Sequence, residues 1–336
     1  MTQDTPPVPT SGDAAQQGPP AVLPGGTLQD YVEYMSRKGA VCALTDGGTR
    51  AWLPGARSEL QRFPMECTED VDRSLLRSLL RHKGIWVASY QLLPADGVAA
   101  NCFDYLCRDP NYVIDTLTKN ARRDIRRGQR NFRVRRITWP EFADKAHPAL
   151  ADTSARHGFV LPSPQKARGH AASRADSPFH EAWGAWSGSD LAAWLIVTKI
   201  DNWAWVGVAR SCTAALNWCP NNILIYEVTR QMLVEEKRAY VTYGFSSSQV
   251  NLSQLSMHKF KVRMGYEAVP MHRRFVLHPM LRPLVAWRAS SWMWERVAGL
   301  APQYVQFSQL AGMSRLLSGR ESNPLAWANA APTSED

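Results

Sequence analysis

Across 336 residues no stretch reaches the ~20 uncharged apolar residues of a membrane-spanning helix; the apolar region near the C-terminal end is broken by Arg282, Arg288, Glu295 and Arg296. No Lys or Arg precedes Arg37, and residues 1–27 are rich in Pro, Gly, Gln, Thr and Ser, so neither a secretion nor a transit signal is expected and this opening reads as a disordered tail. The six cysteines form no CxxC pair. Without a secretion signal they read as reduced thiols of a cytoplasmic protein, not as a disulfide framework or a structural zinc site. GxxxxGK[ST], GxGxxG, HExxH and GxSxG are all missing, which removes the simplest routes to nucleotide hydrolysis, dinucleotide binding, zinc proteolysis and α/β hydrolysis. Gly244, Ser246 and Ser248 have only the outline of a nucleophile elbow, and the pair His272 and His278 has no acidic neighbour, so no metal site is expected.

Acid is scarce in one place above all. The chain carries 39 Lys and Arg against 30 Asp and Glu, a net charge of +9, with 45% hydrophobic and 21% charged residues, which excludes a disordered or collagenous protein. Between Lys119 and Arg136 nine cations face the single acid Asp124, a local charge of +8, so the remainder is nearly neutral. At 100° per residue Lys119, Arg122, Arg123, Arg126 and Arg130 share one helical sector, and Val113, Leu117, Ala121, Ile125 and Phe132 lie opposite. This pattern predicts an amphipathic helix over 112–127. Its cationic side is either a solvated face or a docking surface for phosphate or carboxylate.

Before this helix, residues 40–44, 50–53 and 84–92 read as strands and 69–81 as a helix. After it come a strand over 133–138, a helix over 139–157, a long loop over 158–178 and a short helical stretch over 179–186. Residues 191–199 and 203–210 are β-favouring runs joined by a turn at Asp201 and Asn202, which predicts a hairpin. A helix over 223–237, a strand over 239–245, a helix over 252–263 stopped by Gly265 and extended chain over 266–277 follow. Residues 281–317 read as terminal helices bearing Trp287, Trp292 and Trp294, either packed or in peripheral contact with a membrane surface, and 318–336 as a polar tail.

Three stretches carry a family resemblance: the basic helix KNARRDIRRGQR, the helix-to-strand unit NNILIYEVTRQMLVEEKRAYVTYGFSS, and LSMHKFKVRMGYEAVP. In order and spacing they resemble the GNAT superfamily of acyltransferases, in the branch shared with Fem-type peptidoglycan-bridge aminoacyltransferases. The resemblance implies an α/β fold of the α+β kind: a mixed sheet flanked by helices over 113–280, preceded by a degenerate lobe of the same kind over 28–112. It further implies two splayed strands, 203–210 and 239–245, with the acyl donor between them.

By that resemblance, backbone N–H groups near Val208 and Arg210 meet the developing oxyanion, and Asn221 and Asn222 at a helix start meet donor phosphates. Lys261 stands where ordinary GNAT enzymes have a tyrosine, as expected in the Fem-type branch. Thr242, Tyr243 and Gly244 stand where this branch commonly has Asp-Phe-Gly. SCTAALNWCPNN replaces the glycine-rich loop that cradles the coenzyme A pyrophosphate. Lys261, Tyr243 and Glu227 are the candidate catalytic residues, with Glu227 a base acting through water. Lys119, Arg122, Arg123 and Arg126 are candidates to hold an anionic substrate by charge-assisted hydrogen bonds.

The function expected is N-acyl transfer from acyl-CoA, such as acetyl-CoA, to an amine of an anionic small molecule or cell-wall precursor, with no metal. The alternatives are aminoacyl transfer from charged tRNA to a cell-wall precursor, a nucleic-acid-binding protein using the basic helix without catalysis, and an inactive scaffold. Against pure nucleic-acid binding, the basic stretch has no interleaved aromatic besides Phe132.

Overall fold

The runs 191–199 and 203–210 do pair as a hairpin, turned at Asp201 with φ +48°. The structure is a computed structural model describing residues 25–55, 58–65, 71–94, 100–158, 160–246, 252–285, 288–300 and 305–317. The strands in chain order are β1 (Ala43–Thr45), β2 (Arg50–Pro54), β3 (Glu59–Phe63), β4 (Val87–Leu92), β5 (Cys102–Cys107), β6 (Arg133–Ile137), β7 (His180–Ser187), β8 (Asp190–Ile200), β9 (Trp203–Ser211), β10 (Tyr240–Phe245) and β11 (Glu267–Leu277). The helices are α1 (Leu28–Arg37), α2 (Arg73–Leu79), α3 (Lys119–Asn131), α4 (Trp139–Lys145), α5 (His147–His157), α6 (Pro164–Ala172), α7 (Pro220–Arg230), α8 (Leu252–Arg263), α9 (Arg282–Val285), α10 (Arg288–Leu300) and α11 (Val305–Leu317).

Among the described residues the strands form one mixed sheet of 11, in the order β1-β2-β3-β4-β11-β5-β10-β9-β8-β7-β6. Only β3 with β4 and β9 with β10 run parallel. β11 joins two lobes: its residues 267–271 pair with β5 and 272–277 pair with β4. The larger core lies under α3 and α7, where Leu117, Ala121, Ile125, Ile223 and Val228 pack on Leu195, Val197 and Val206. The apolar side of the basic helix is therefore buried at Leu117, Ala121, Ile125 and Phe132, while Val113 stays 40% exposed. Beneath α2 a smaller core gathers Trp52, Leu60, Leu76, Ala88 and Tyr90.

Several elements differ from expectation. Residues 180–187, expected to be helical, form β7, because Ala182, Trp183, Ala185 and Trp186 are buried on both faces between β6 and β8 and lose the alternation of a half-exposed strand. The expected helix 139–157 is two helices meeting at Ala146, and the loop 158–178 contains α6, started by Ser163 and Pro164. The basic helix starts at Lys119, capped by the Thr118 side chain, after a short turn of 3-10 helix at Ile114–Thr116. β5, which sequence reading left out, belongs to the sheet of the larger lobe although it lies before residue 113. Thr27, read as part of the tail, caps α1, and Gly26 accepts a hydrogen bond from the Asp201 amide at 2.8 Å. The tail 318–336 and Trp287 lie outside the described residues.

Candidate active cleft

β9 and β10 pair through only three residue pairs, Trp203 with Tyr240, Ala204 with Val241 and Trp205 with Thr242, and then separate. Each strand carries an irregularity at the point of divergence. On β9 the pairing with β8 steps from Val206 opposite Val197 to Val208 opposite Ile196, so Gly207 is an extra residue. On β10 the residues between Thr242 and Phe245 face one fewer on β5, and Gly244 takes up the bend with φ +68°. Beyond Trp205 the edge of β9 facing β10 has no strand partner among the described residues, which leaves backbone groups directed at the gap.

A cavity of about 460 Å³ fills that gap, walled by β9, β10, Tyr105 of β5, the end of α5, Asn221 of α7 and one side of α8. Its lining holds Arg156, Arg210 and Lys261, together with His157 and His258, and no carboxylate among the described residues. Two guanidiniums and the Lys261 amine, with no carboxylate among the described lining residues, give the cavity a positive potential that suits an anionic group. Arg156 is anchored to Thr213 Oγ1 at 2.8 Å and to the Ser211 carbonyl at 3.3 Å, so the end of β9 and the turn before α7 are tied to α5. Asp152 supports the same turn by accepting from the Thr213 amide at 2.6 Å. Burial lowers the proton affinity of Arg210 and His157, the latter further through the charge of Arg156.

Lys261 is 6% exposed. Its Nζ donates to the Tyr243 carbonyl at 3.0 Å and sits 4.1 Å from the Tyr105 ring centre and 4.6 Å from that of Tyr243. Burial pushes the ammonium down to about 7, with the Asp104 charge opposing the shift. Asp104 is fully buried, and its Oδ1 accepts from Thr242 Oγ1 at 3.0 Å, which in turn accepts from the Gly244 amide at 3.0 Å. A buried carboxylate thus stands against Thr242 from the neighbouring strand. Tyr105 hydroxyl and His258 Nδ1 are 2.9 Å apart, and burial raises Tyr105. Burial also pushes the Tyr243 phenol up to about 12, so it stays protonated at neutral pH.

Of the residues singled out from sequence, Lys261, Tyr243, Arg210 and Asn221 line this one cavity. The Val208 side chain faces a different depression beside Phe142 and Trp194, although its backbone belongs to the β9 irregularity. Asn222 points to Met264 Sδ at 3.9 Å, and Glu227, raised by burial, faces Gln129 of α3; neither lines the cleft. Nor do Lys119, Arg122, Arg123 and Arg126. Arg122 donates to the Asp115 and Leu117 carbonyls at 3.2 and 3.0 Å, Arg126 pairs with Asp115 at 3.5 Å and Arg123 with Asp124 at 3.0 Å. Arg135 grips Glu141 with both terminal guanidinium nitrogens, and Arg136 pairs with Glu236 at 3.1 Å and Glu181 at 3.4 Å beside the buried Lys199. Much of the basic stretch therefore serves the fold. Sequence reasoning missed Tyr105, Asp104, Arg156, His157 and His258; among these only Asp104, an acid within the apolar run CFDYLC, gives a local signal.

No protein-family model and no curated protein matches the sequence. Among solved structures the chain is similar to FemX, with 11% identity over 78% of this chain and 95% of that one, at a TM-score of 0.50. L-PGS from Bacillus licheniformis matches at 12% identity over 78% and 90%, TM-score 0.45. A tandem GNAT protein from the clavulanic acid biosynthesis pathway matches at 12% over 75% and 95%, TM-score 0.40. The chain has the GNAT fold.

Proposed function

We propose that the cleft is the acyl-transfer site of an N-acyltransferase. The observation that carries this reading is the parting of two parallel strands around a cavity that holds two arginines and a buried lysine, with no acid among its described lining residues. In this reading the phosphates of the donor lie against Arg156 and Arg210, with Asn221 beside them, and the reactive carbonyl reaches the unpartnered edge of β9 near Gly207 and Val208. A neutral amine attacks the carbonyl carbon, and backbone N–H groups there stabilise the oxyanion. As the C–S bond breaks, the departing sulfur takes a proton from the Lys261 ammonium and the new amide nitrogen releases one to solvent, so the products are an amide and a thiol. Tyr105, Tyr243 and Asp104 hold the ammonium in place. Glu227 has no part in this step.

Coenzyme A thioesters are the first donor to test. A second reading, an aminoacyl ester of tRNA, is favoured by one feature: α7 opens on Pro220, which lacks an N–H, and Cys219 in the left-handed region precedes it where a glycine-rich phosphate cradle would lie. Under either donor, Lys119, Arg122, Arg123 and Arg126 would meet an anionic acceptor or the tRNA backbone outside the cleft.

The experiment is amine-dependent thiol release from acetyl-CoA, run beside release of amino acid from charged tRNA. Turnover of the thioester that Arg210→Gln weakens at least tenfold in KM supports the first reading. Turnover of the aminoacyl ester alone selects the second, and binding or turnover of neither overturns both.

A further inference from the structure

A second cavity, of about 420 Å³, opens in the other lobe between α2 and β11 and shares no lining residue with the cleft. Arg73 and Arg77 of α2 face it, as do His272, Arg273 and Arg274 of β11, and no carboxylate among the described residues lines it. Arg273 is occupied, donating to Glu59 at 2.6 Å and Ser89 at 3.0 Å. Arg73 and Arg274 make no ion pair among the described residues, and the charge of Arg77 is felt by Asp72, the cap of α2.

Arg73 opens α2, where the positive end of the helix disfavours a cation. Arg73 and Arg77 stand one turn apart as like charges, an unfavourable pair. Arg274 adds a third from the facing strand. Three like charges thus converge on one cavity, and an anion bound there offsets their mutual repulsion by attraction to each guanidinium.

We propose that this cavity is a second anion site that takes a phosphate-bearing group, held by the guanidinium forks of Arg73, Arg77 and Arg274. The same chemistry serves a soluble phosphate ester or a phospholipid headgroup. The full chain carrying Arg210→Gln, which weakens the cleft, is titrated calorimetrically with inorganic pyrophosphate at low salt. It binds, and adding R73Q and R274Q weakens binding at least tenfold while the melting temperature holds. Equal affinity with and without R73Q and R274Q, or no binding to the Arg210→Gln chain, overturns the proposal. A parallel arm floats the chain on phosphatidylcholine vesicles with and without phosphatidylglycerol. Retention that needs both the anionic lipid and the two arginines assigns the site to a headgroup, whereas pyrophosphate binding without retention assigns it to a soluble ester.

Discussion

Lys261 is asked to do two incompatible things. To serve the reaction it must be an ammonium, and to be packed among Tyr105, Tyr243 and Asp104 it must lose most of its water. Its pKa falls to about 7 in the folded chain, against about 10.4 for an unfolded lysine. Between those values the unfolded chain binds more protons than the folded one, so stability rises as pH climbs from about 7 to 10 and is lowest on the acid side. Lys261→Met removes the buried charge and keeps the volume. It is expected to raise stability at pH 6 by roughly 1–4 kcal/mol, to flatten the rise toward pH 10, and to cut turnover about 10²–10⁴-fold. Urea unfolding at pH 6 and pH 9, beside thiol release, checks both. A variant that is less stable and as active as the parent removes Lys261 from the site. Arg210, Asn221, Tyr243 and Lys261 are legible from sequence because they lie in succession on β9, α7, β10 and α8. Arg156 and Tyr105 are not, since their approach depends on α5 and β5 packing across distant chain.

At the scale of elements, close approach decides more than propensity. Gly128 lies inside α3, where alanine normally gains about 0.5–1 kcal/mol over glycine. Here an added Cβ would stand 2.7 Å from Ile223 Cβ and 3.0 Å from the Cys219 carbonyl oxygen, both on or at the start of α7. The neighbour is a branched side chain and backbone, so the helices must move apart, at a cost of about 1–3 kcal/mol. Gly128→Ala is therefore expected to destabilise the protein by about 1–2 kcal/mol in denaturant unfolding, and a gain in stability would mean the contact is loose. The basic sector of α3 was readable as an amphipathic pattern, but which arginines stay available was not: Arg122 satisfies carbonyls of the preceding turn, and Arg135 and Arg136 close on acids of α4, β7 and residue 236. β7 shows the opposite failure. Tryptophans and alanines at 182, 183, 185 and 186 have the spacing of a helix, and only burial on both faces makes them a strand.

The whole molecule turns on β11, which closes the larger lobe with its first half and the smaller one with its second. The switch is clamped by Asn101: its Nδ2 donates to the Arg273 carbonyl at 2.9 Å, and its Oδ1 accepts from the Arg273 amide at 2.7 Å. The Arg273 guanidinium then crosses to Glu59 and lies against Phe245, a wall residue of the cleft, and Phe275, a wall residue of the second cavity. A boundary drawn at residue 113 from the start of the basic helix could not reveal this, because β5 enters the larger lobe ahead of that helix and β11 returns to the smaller lobe long after it. With so many hydrogen bonds crossing the junction, the lobes should unfold together. Fluorine NMR of 5-fluorotryptophan chain can follow Trp52 in the smaller core and Trp194 in the larger lobe, and their urea midpoints are expected to coincide. Asn101→Ala strands the Arg273 amide and carbonyl, each costing about 1–3 kcal/mol when buried without a partner, and should lower both midpoints together. If Trp52 melts ahead of Trp194 in the parent chain, the sheet is continuous in geometry but not in energy, and the two cavities belong to separately stable bodies.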